Sequence, residues 1–309
     1  KALTWEVNYW SWLEQTNKIN PLVYSADHDD SILRIPTQSY VIPLDAVYET
    51  TRYEYPIVRS YEPGSASTVN FNGRTYVNTR FVNYWYTNEG KFGINDVIGN
   101  IKTKNIMSEL NDKLIPINYH EMDEKTVGFE SKWSRCYGLE DIRLFTYDNK
   151  MYYLATNINY THDSVNSMMM GEYDLPTMTY KNSHFLHSPY KRCMQKNWIP
   201  LVWKDDLWFI YRWFPLEIGK LDETHTLVIH KTFPIQDPAF RDIRGSSGFV
   251  DYGEYLVGIV HYSIDGAPRK YFHRFIALDK ESLEPKMYSD NFYFRKIGVE
   301  FCLSLAIVR

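Results

Sequence analysis

Two carboxylates and a guanidinium stand within four residues at Glu140-Asp141-Ile142-Arg143, at the head of an otherwise apolar run. Side chains alternate along an extended strand, so Asp141 and Arg143 are expected on one face, Glu140 and Ile142 on the other. A carboxyl beside an arginine is a competent proton donor or acceptor once its surroundings set its pKa. The same tetrapeptide also serves as an ion pair closing a structural unit. Arg244-Gly245-Ser246-Ser247 joins a bidentate oxyanion donor to a flexible turn, which suits phosphate or sugar hydroxyls. Lys196-Asn197-Trp198 sets a cation, an amide and a broad aromatic face in a row, as sugar sites do. A lysine stem lying over a core tryptophan would read the same way.

Further candidates are single residues. Asn78 and Arg80 alternate onto one face just ahead of Tyr84. His261 closes one apolar run, and His273-Arg274 falls on its expected hairpin partner, so the two histidines are expected to meet across the turn. Glu300 opens the last apolar segment, where an unpaired carboxylate would be costly. The histidines lack a third ligand, and the three cysteines (Cys136, Cys193, Cys302) form no CxxC or Cys/His cluster. No metal site is therefore expected, and no cofactor is implied.

These segments recur. Strand-like runs rich in Val, Ile, Tyr, Phe and Trp, bounded by Gly, Asp and Asn turns, dominate the chain. Polar-then-apolar openings precede them at residues 67, 140, 196, 244 and 299. A hairpin repeat of roughly 50 residues signals propeller blades. The expectation is an all-β chain with a few short helices: a five-bladed β-propeller forming a single domain over 1–309. Residues 1–60 are an N-terminal extension or part of the closing blade. Helical spacing appears over 5–15 and 104–114. The first strand of each blade lines the channel, so the polar openings converge on the axis, whereas independent ion pairs have no reason to recur there.

Composition narrows the partners. With 26 Tyr and 9 Trp, aromatic residues make up 17% of the chain, as pleated half-buried surfaces and sugar sites both require. A net charge of -4 without a Lys/Arg run argues against nucleic acid. No apolar run approaches the roughly 20 residues that span a bilayer. Sparse cysteines fit a reducing compartment, so a cytoplasmic location is expected. Asp27-His28-Asp29 matches a DxD pattern but lies outside the recurring units and reads as a polar turn.

Gly138-Leu139-Glu140-Asp141-Ile142-Arg143-Leu144-Phe145 resembles the Gly-x-Glu-Asp-Pro-Arg segment of the β-mannoside phosphorylases, five-bladed propellers that make or break mannosidic bonds with phosphate. Ile142 stands where that family has proline. Asn78-x-Arg80-x-x-Asn83-Tyr84, Lys196-Asn197-Trp198, Arg244-Gly245-Ser246-Ser247, Tyr271-x-His273-Arg274-Phe275 and Gly298-x-Glu300-Phe301 resemble propeller modules found with glycosyltransferases in bacteria and large viruses. The resemblance runs from about residue 67 to the end. It implies Asp141 as the general acid or base, Arg143 as a holder of sugar hydroxyls or phosphate, and Glu300 as a candidate second carboxylate. Lys196, Arg244, His261, His273 and Arg274 would form a basic cradle for phosphate or a nucleotide-sugar diphosphate. The implied ligands are a sugar, sugar phosphate or nucleotide sugar and a glycan acceptor. A glycosidase of the same fold and a non-catalytic glycan-binding propeller remain open beside this.

Overall fold

The computed structural model describes residues 33–35 and 61–307, except 88–90, 133–134, 163–164, 191–193, 267–268 and 295–297. The expected helix over 5–15 and the Asp27-His28-Asp29 turn lie outside the described residues. Among the described residues, the regular elements are strands apart from two single 3-10 turns, Glu124–Val127 and Pro238–Phe240. The chain winds them into successive antiparallel sheets arranged as a β-propeller.

The first blade contains β2 (Glu62–Phe71), β3 (Arg74–Val82), β6 (Ile101–Leu110) and β7 (Pro116–Glu121), in that order across the sheet. Between its second and third strands it inserts a small hairpin, β4 (Tyr84–Tyr86) and β5 (Phe92–Ile94). This insertion is why the first repeat is the longest. A short strand, β8 (Cys136–Tyr137), pairs parallel with β6. The second blade is β9 (Glu140–Tyr147), β10 (Lys150–Asn157), β11 (Ser167–Asp174) and β12 (Thr179–Leu186). The third is β13 (Ile199–Trp203), β14 (Asp206–Trp213), β15 (Leu216–Leu221) and β16 (Leu227–Phe233). The fourth contains β17 (Arg244–Gly245), β18 (Val250–Tyr252), β19 (Tyr255–Ile264), β20 (Lys270–Asp279) and β21 (Pro285–Ser289). On its outer edge β1 (Leu33–Ile35) pairs parallel with β21.

Two expectations are corrected here. Residues 104–114 are not a helix: most of the segment is β6, because pairing with β3 and β7 satisfies its backbone on both sides and overrides a weak helical spacing. The propeller has four blades among the described residues, not five. Val299 to Leu303 opens no further sheet. This segment continues between the fourth and first blades, where Cys302 and Leu305 pack on Ile259, Phe275 and Phe292. On its other side the Ser304 hydroxyl accepts the Thr68 N–H at 2.7 Å, and Asn70 Nδ2 donates to the Ile307 carbonyl at 2.9 Å.

Apolar cores lie between neighbouring sheets. Val69 and Met107 of the first blade meet Ile142, Leu144 and Tyr153 of the second. Phe145, Leu154 and Met168 meet Trp198, Phe209 and Tyr211; Ile199, Leu201 and Trp213 meet Leu256, Val260 and Ile276. The opening strands β2, β9 and β13 run side by side, and the buried Ser67 hydroxyl accepts the Leu144 N–H at 2.9 Å. Among the described residues no helix is long and apolar enough to cross a membrane.

A close approach of the third and fourth blades fixes one glycine. A Cβ at Gly245 would sit 2.2 Å from the Asn197 carbonyl oxygen and 2.7 Å from Ile199. Gly245→Ala is therefore expected to destabilise the protein by about 2 kcal/mol through forced separation of the third and fourth blades. Equilibrium urea unfolding of the variant measures this.

Candidate functional site

Where the second blade opens, the chain departs from a regular strand. β9 carries a bulge: Arg143 faces Leu154 and Glu140 faces Thr156, so Asp141 and Ile142 stand opposite Ala155 alone. Asp141 takes a left-handed backbone, φ 52°, which aspartate tolerates better than most residues. The expected alternation is broken as a result. Glu140 and Asp141 both reach Arg80 of the first blade, whereas Arg143 turns towards the third and fourth blades.

Arg80 is buried and bound on both sides. Its Nη1 donates to Asp141 Oδ1 at 2.9 Å, and Nη2 lies 3.3 Å from Glu140 Oε2. Nε and Nη2 also face the Thr103 hydroxyl at 3.4 Å. Burial works against its charge, but the neighbouring carboxylates, Glu140 foremost, outweigh that and hold its pKa above the usual arginine value. Both carboxylate side chains keep 19% of their surface exposed, so they face both the staple and solvent. Tyr84, half-buried on the inserted hairpin, feels the charges of Arg80, Glu140 and Asp141, and burial raises its pKa.

Arg143 is 1% exposed and ties three blades together. Nε donates to the Ser246 carbonyl at 2.8 Å and Nη2 to the Gly245 carbonyl at 3.3 Å. Nη2 also reaches Asn197 Oδ1 at 3.4 Å, and Nη1 reaches the Asp141 carbonyl at 3.3 Å. Among the described residues no carboxylate lies within salt-bridge distance, and burial pushes its pKa down to about 10. The Phe301 ring caps the guanidinium at 5.7 Å. A guanidinium has five N–H groups. Four are occupied here, which makes Arg143 chiefly a staple of the hub.

The remaining candidates divide by exposure. Asn197 opens the third blade in a left-handed backbone, φ 63°. Lys196 before it and Arg244 at the head of the fourth blade are exposed, and among the described residues neither side chain makes a hydrogen bond or ion pair. Lys196 precedes Asn197 and Arg244 precedes Gly245, and Arg143 hydrogen-bonds both of those neighbours, so both cations border the hub. Glu300 is half-buried; its Oε2 accepts the Phe294 N–H at 2.8 Å.

Other candidates are engaged inside the fold. Asn78 donates to Asn105 Oδ1 at 3.0 Å and accepts from the Tyr173 hydroxyl at 2.8 Å. Trp198 is 1% exposed, donates to Gln195 Oε1 and packs edge-on against Tyr211. Its face belongs to the core between the second and third blades. Arg274 donates to Asn291 Oδ1 at 2.5 Å and to the Ala239 carbonyl at 2.6 Å, between the rings of Tyr262 and Tyr288.

His261 and His273 are cross-strand partners in β19 and β20, as their spacing implied. They do not form a cationic pair. His261 Nδ1 lies 2.9 Å from the Ser246 hydroxyl, and burial, reinforced by His273 and Arg143, keeps the ring neutral. His273 is fully enclosed among Phe292 and Phe294, and neither ring nitrogen makes a hydrogen bond of normal geometry. The candidate site also contains a residue the sequence did not single out, Thr103, whose hydroxyl faces Arg80. Its only sequence signal is polarity inside a strand-rich segment. Among the described residues no group of three or more His, Cys, Asp or Glu is placed to hold a metal.

No family model matches this chain, and no curated protein matches it. Among solved structures, the β-1,2-mannobiose phosphorylase from Listeria innocua, in complex with β-1,2-mannobiose, is similar at 11% identity. The match covers 75% of this chain and 77% of that one, with a TM-score of 0.47. A mannose phosphorylase from Leishmania mexicana, in complex with a phosphate ion, is similar at 15% identity over 90% and 76%, with a TM-score of 0.47. A β-xylosidase/α-arabinofuranosidase from a compost microbial metagenome, in complex with xylotriose, is similar at 11% identity over 78% and 81%, also with a TM-score of 0.47.

The enclosure of His273 has a pH signature. Burial holds its pKa at about 3, against 6.5 for a free histidine. The unfolded chain takes up the proton first, so this contribution to stability is complete above about pH 6.5 and is lost as pH falls towards 3. At pH 5 the loss is about 2 kcal/mol. His273→Phe is expected to be flatter than the parent protein by that amount between pH 7 and 5, measured by urea unfolding at each pH.

Proposed function

We propose that this protein is a carbohydrate-active enzyme that transfers a glycosyl group from or to a phosphate-linked sugar of mannose type, as a glycosyltransferase or a glycoside phosphorylase. One observation carries the reading. At the head of the second blade Asp141 and Glu140 face solvent from a shared guanidinium, and Lys196 and Arg244, whose side chains are exposed and make no hydrogen bond or ion pair among the described residues, stand beside Asn197 and Gly245, which Arg143 joins to the same hub. Such an arrangement offers one group for proton transfer and two charges for a phosphate or diphosphate.

In this reading Asp141 gives a proton to the departing glycosidic oxygen or takes one from the attacking hydroxyl. Arg80 holds that carboxyl in place. Lys196 and Arg244 neutralise the charge on the phosphoryl oxygens as the bond to the sugar breaks. Ring faces for the sugar and its glycan acceptor come from Tyr84, Tyr86 and Phe92 on the inserted hairpin, whose centroids lie 5.0 to 5.8 Å apart. Trp198, enclosed in the core, takes no part, and Arg143 acts through the staple more than through the ligand.

A second reading, hydrolysis by the same fold, is favoured by the two carboxylates that converge on Arg80. It needs one as acid and one to activate water or attack the sugar. Release of free sugar in phosphate-free buffer without a nucleotide sugar would establish it over glycosyl transfer. A glycan-binding module without activity would bind sugar and form no product from any donor.

A thermal-shift screen against inorganic phosphate, sugar phosphates and nucleotide sugars identifies the donor class, because a ligand of the native state raises the melting temperature by mass action. Asp141→Asn is expected to lower turnover by about 10²–10⁴-fold with the donor so identified, while the donor's thermal shift persists. The double variant Lys196→Ala/Arg244→Ala is expected to lose the phosphate-dependent shift and to keep its fold. Turnover unchanged in Asp141→Asn would reject the assignment.

A further inference from the structure

The hairpin inserted into the first blade carries aromatic rings on both of its faces. Its cross-strand pairs are Tyr84 with Ile94, Trp85 with Gly93 and Tyr86 with Phe92. Alternation therefore places Tyr84, Tyr86 and Phe92 on one face and Trp85 on the other. On the Trp85 face the indole lies against the backbone of Gly93, where any Cβ would collide with it. On the opposite face Tyr86 and Phe92 lie 5.0 Å apart, tilted by 39°, and are 55% and 46% exposed. Tyr84, half-buried, stands nearly perpendicular to Tyr86, at 82°. Tyr86 and Phe92 thus make an open floor, and Tyr84 is the wall at its inner end.

Hydrogen bonds fasten this platform to the segment that carries the carboxylates. At its base Asn83 is 1% exposed. Its Nδ2 donates to the Asn100 carbonyl at 2.9 Å, and its Oδ1 accepts the Lys102 N–H at 2.7 Å. The Asn83 carbonyl accepts the Asn95 N–H, also at 2.7 Å. From there β6 continues the link: Ile101 and Lys102 pair in parallel with Cys136 and Tyr137 of β8. Gly138 then packs so closely on Thr103 that a Cβ would lie 2.6 Å from the Thr103 carbonyl oxygen. Glu140 and Asp141 follow directly. At the far end the Thr87 N–H donates to the Lys91 carbonyl at 2.9 Å, and the Thr87 hydroxyl accepts the Lys91 N–H at 3.2 Å. Rings held in this way need little ordering when a ligand arrives.

The two sides of the carboxylate pair differ in chemistry. Lys196 and Arg244, the cations suited to phosphate, stand beside Asn197 and Gly245 of the third and fourth blades. Arg80, which holds Glu140 and Asp141, belongs to the first blade, and the platform follows it in the chain. Tyr84 comes first after Arg80 and the floor lies beyond it. Two residues of strand span about 7 Å, longer than one pyranose ring. A sugar on the floor is therefore not the sugar whose bond is made or broken. We propose that Tyr86 and Phe92 hold a distal unit of a neutral oligosaccharide acceptor, so that the acceptor is a chain of sugars rather than a single one. This rests on the reading that the site transfers a glycosyl group to a glycan, and adds the acceptor's class. Ring faces cover the C–H faces of a sugar without reading each hydroxyl, so the platform selects length more than identity. Lys91 is the one charged residue among those described on the hairpin, which suits a neutral chain.

The test is isothermal titration calorimetry, without any donor, using manno-, gluco- and xylo-oligosaccharides of increasing length from the single sugar upward. In the parent protein at least one series is expected to bind about tenfold tighter as the chain lengthens from a single sugar to a trisaccharide. Tyr86→Ala/Phe92→Ala is expected to remove that gain. Tyr86→Leu, which keeps an apolar side chain without the ring, is expected to lose most of it and decides the matter should the double variant not fold. Trp85→Ala, on the opposite face of the same hairpin, is expected to keep the gain. Affinity independent of length in every series, a gain retained without the rings, or a gain lost equally in Trp85→Ala would overturn the proposal. So would a dimer in sedimentation velocity that Tyr86→Leu separates, since the rings would then belong to a second copy. The glycosyl-transfer reading fails separately. A length-dependent gain carried by the rings, with no turnover from any donor, upholds the platform and removes transfer; turnover onto a single sugar with no gain from length does the reverse.

Discussion

The hub depends on a guanidinium with no carboxylate within salt-bridge distance among the described residues. Arg143 spends its N–H groups on the carbonyls of Asp141, Gly245 and Ser246 and on the Asn197 amide, so one side chain of the second blade fixes the openings of the third and fourth. Burying such a charge is expensive, and only dense hydrogen bonding offsets the desolvation. That requirement explains nearby backbone choices. Gly245 admits the Asn197 carbonyl where any Cβ would collide, and Asp141 and Asn197 take left-handed conformations at the heads of their strands. Arg80 performs the corresponding task between the first and second blades, with two carboxylates in place of carbonyls.

This division shapes what is left for a ligand. Polar side chains within the strands are used up by the fold: Asn78 in an amide chain, Arg274 between two tyrosines, His261 on Ser246. Several side chains at the strand heads are not. Lys196 and Arg244 stay exposed, and the Asp141 and Glu140 carboxylates keep part of their surface because the bulge in β9 lifts them out of the alternating pattern. The chemistry we propose therefore rests on residues at strand heads, where the backbone is irregular.

Much of this was legible beforehand. Recurring polar openings identified blades, and four of them, at 67, 140, 196 and 244, fall within or just before the first strand of a blade. The opening at 299 shows the limit of the method. Phe301 and Cys302 have the apolar pattern of an inner strand, yet a strand needs a pairing neighbour, and this segment finds its contacts on β2 and the face of the fourth blade. Helical spacing over 104–114 failed for a related reason, since ladder bonds on both sides of β6 decide its conformation.

What the residues determined alone was the blade pattern, the aromatic and charged inventory, and the adjacency of His261 and His273, because each follows from local period and turn chemistry. What only the tertiary structure decided was the use of each charge. Whether an arginine staples blades or meets a ligand depends on the carbonyls brought within reach of it, and those arrive from segments about a hundred residues away. The same holds for Trp198, enclosed by a neighbouring sheet.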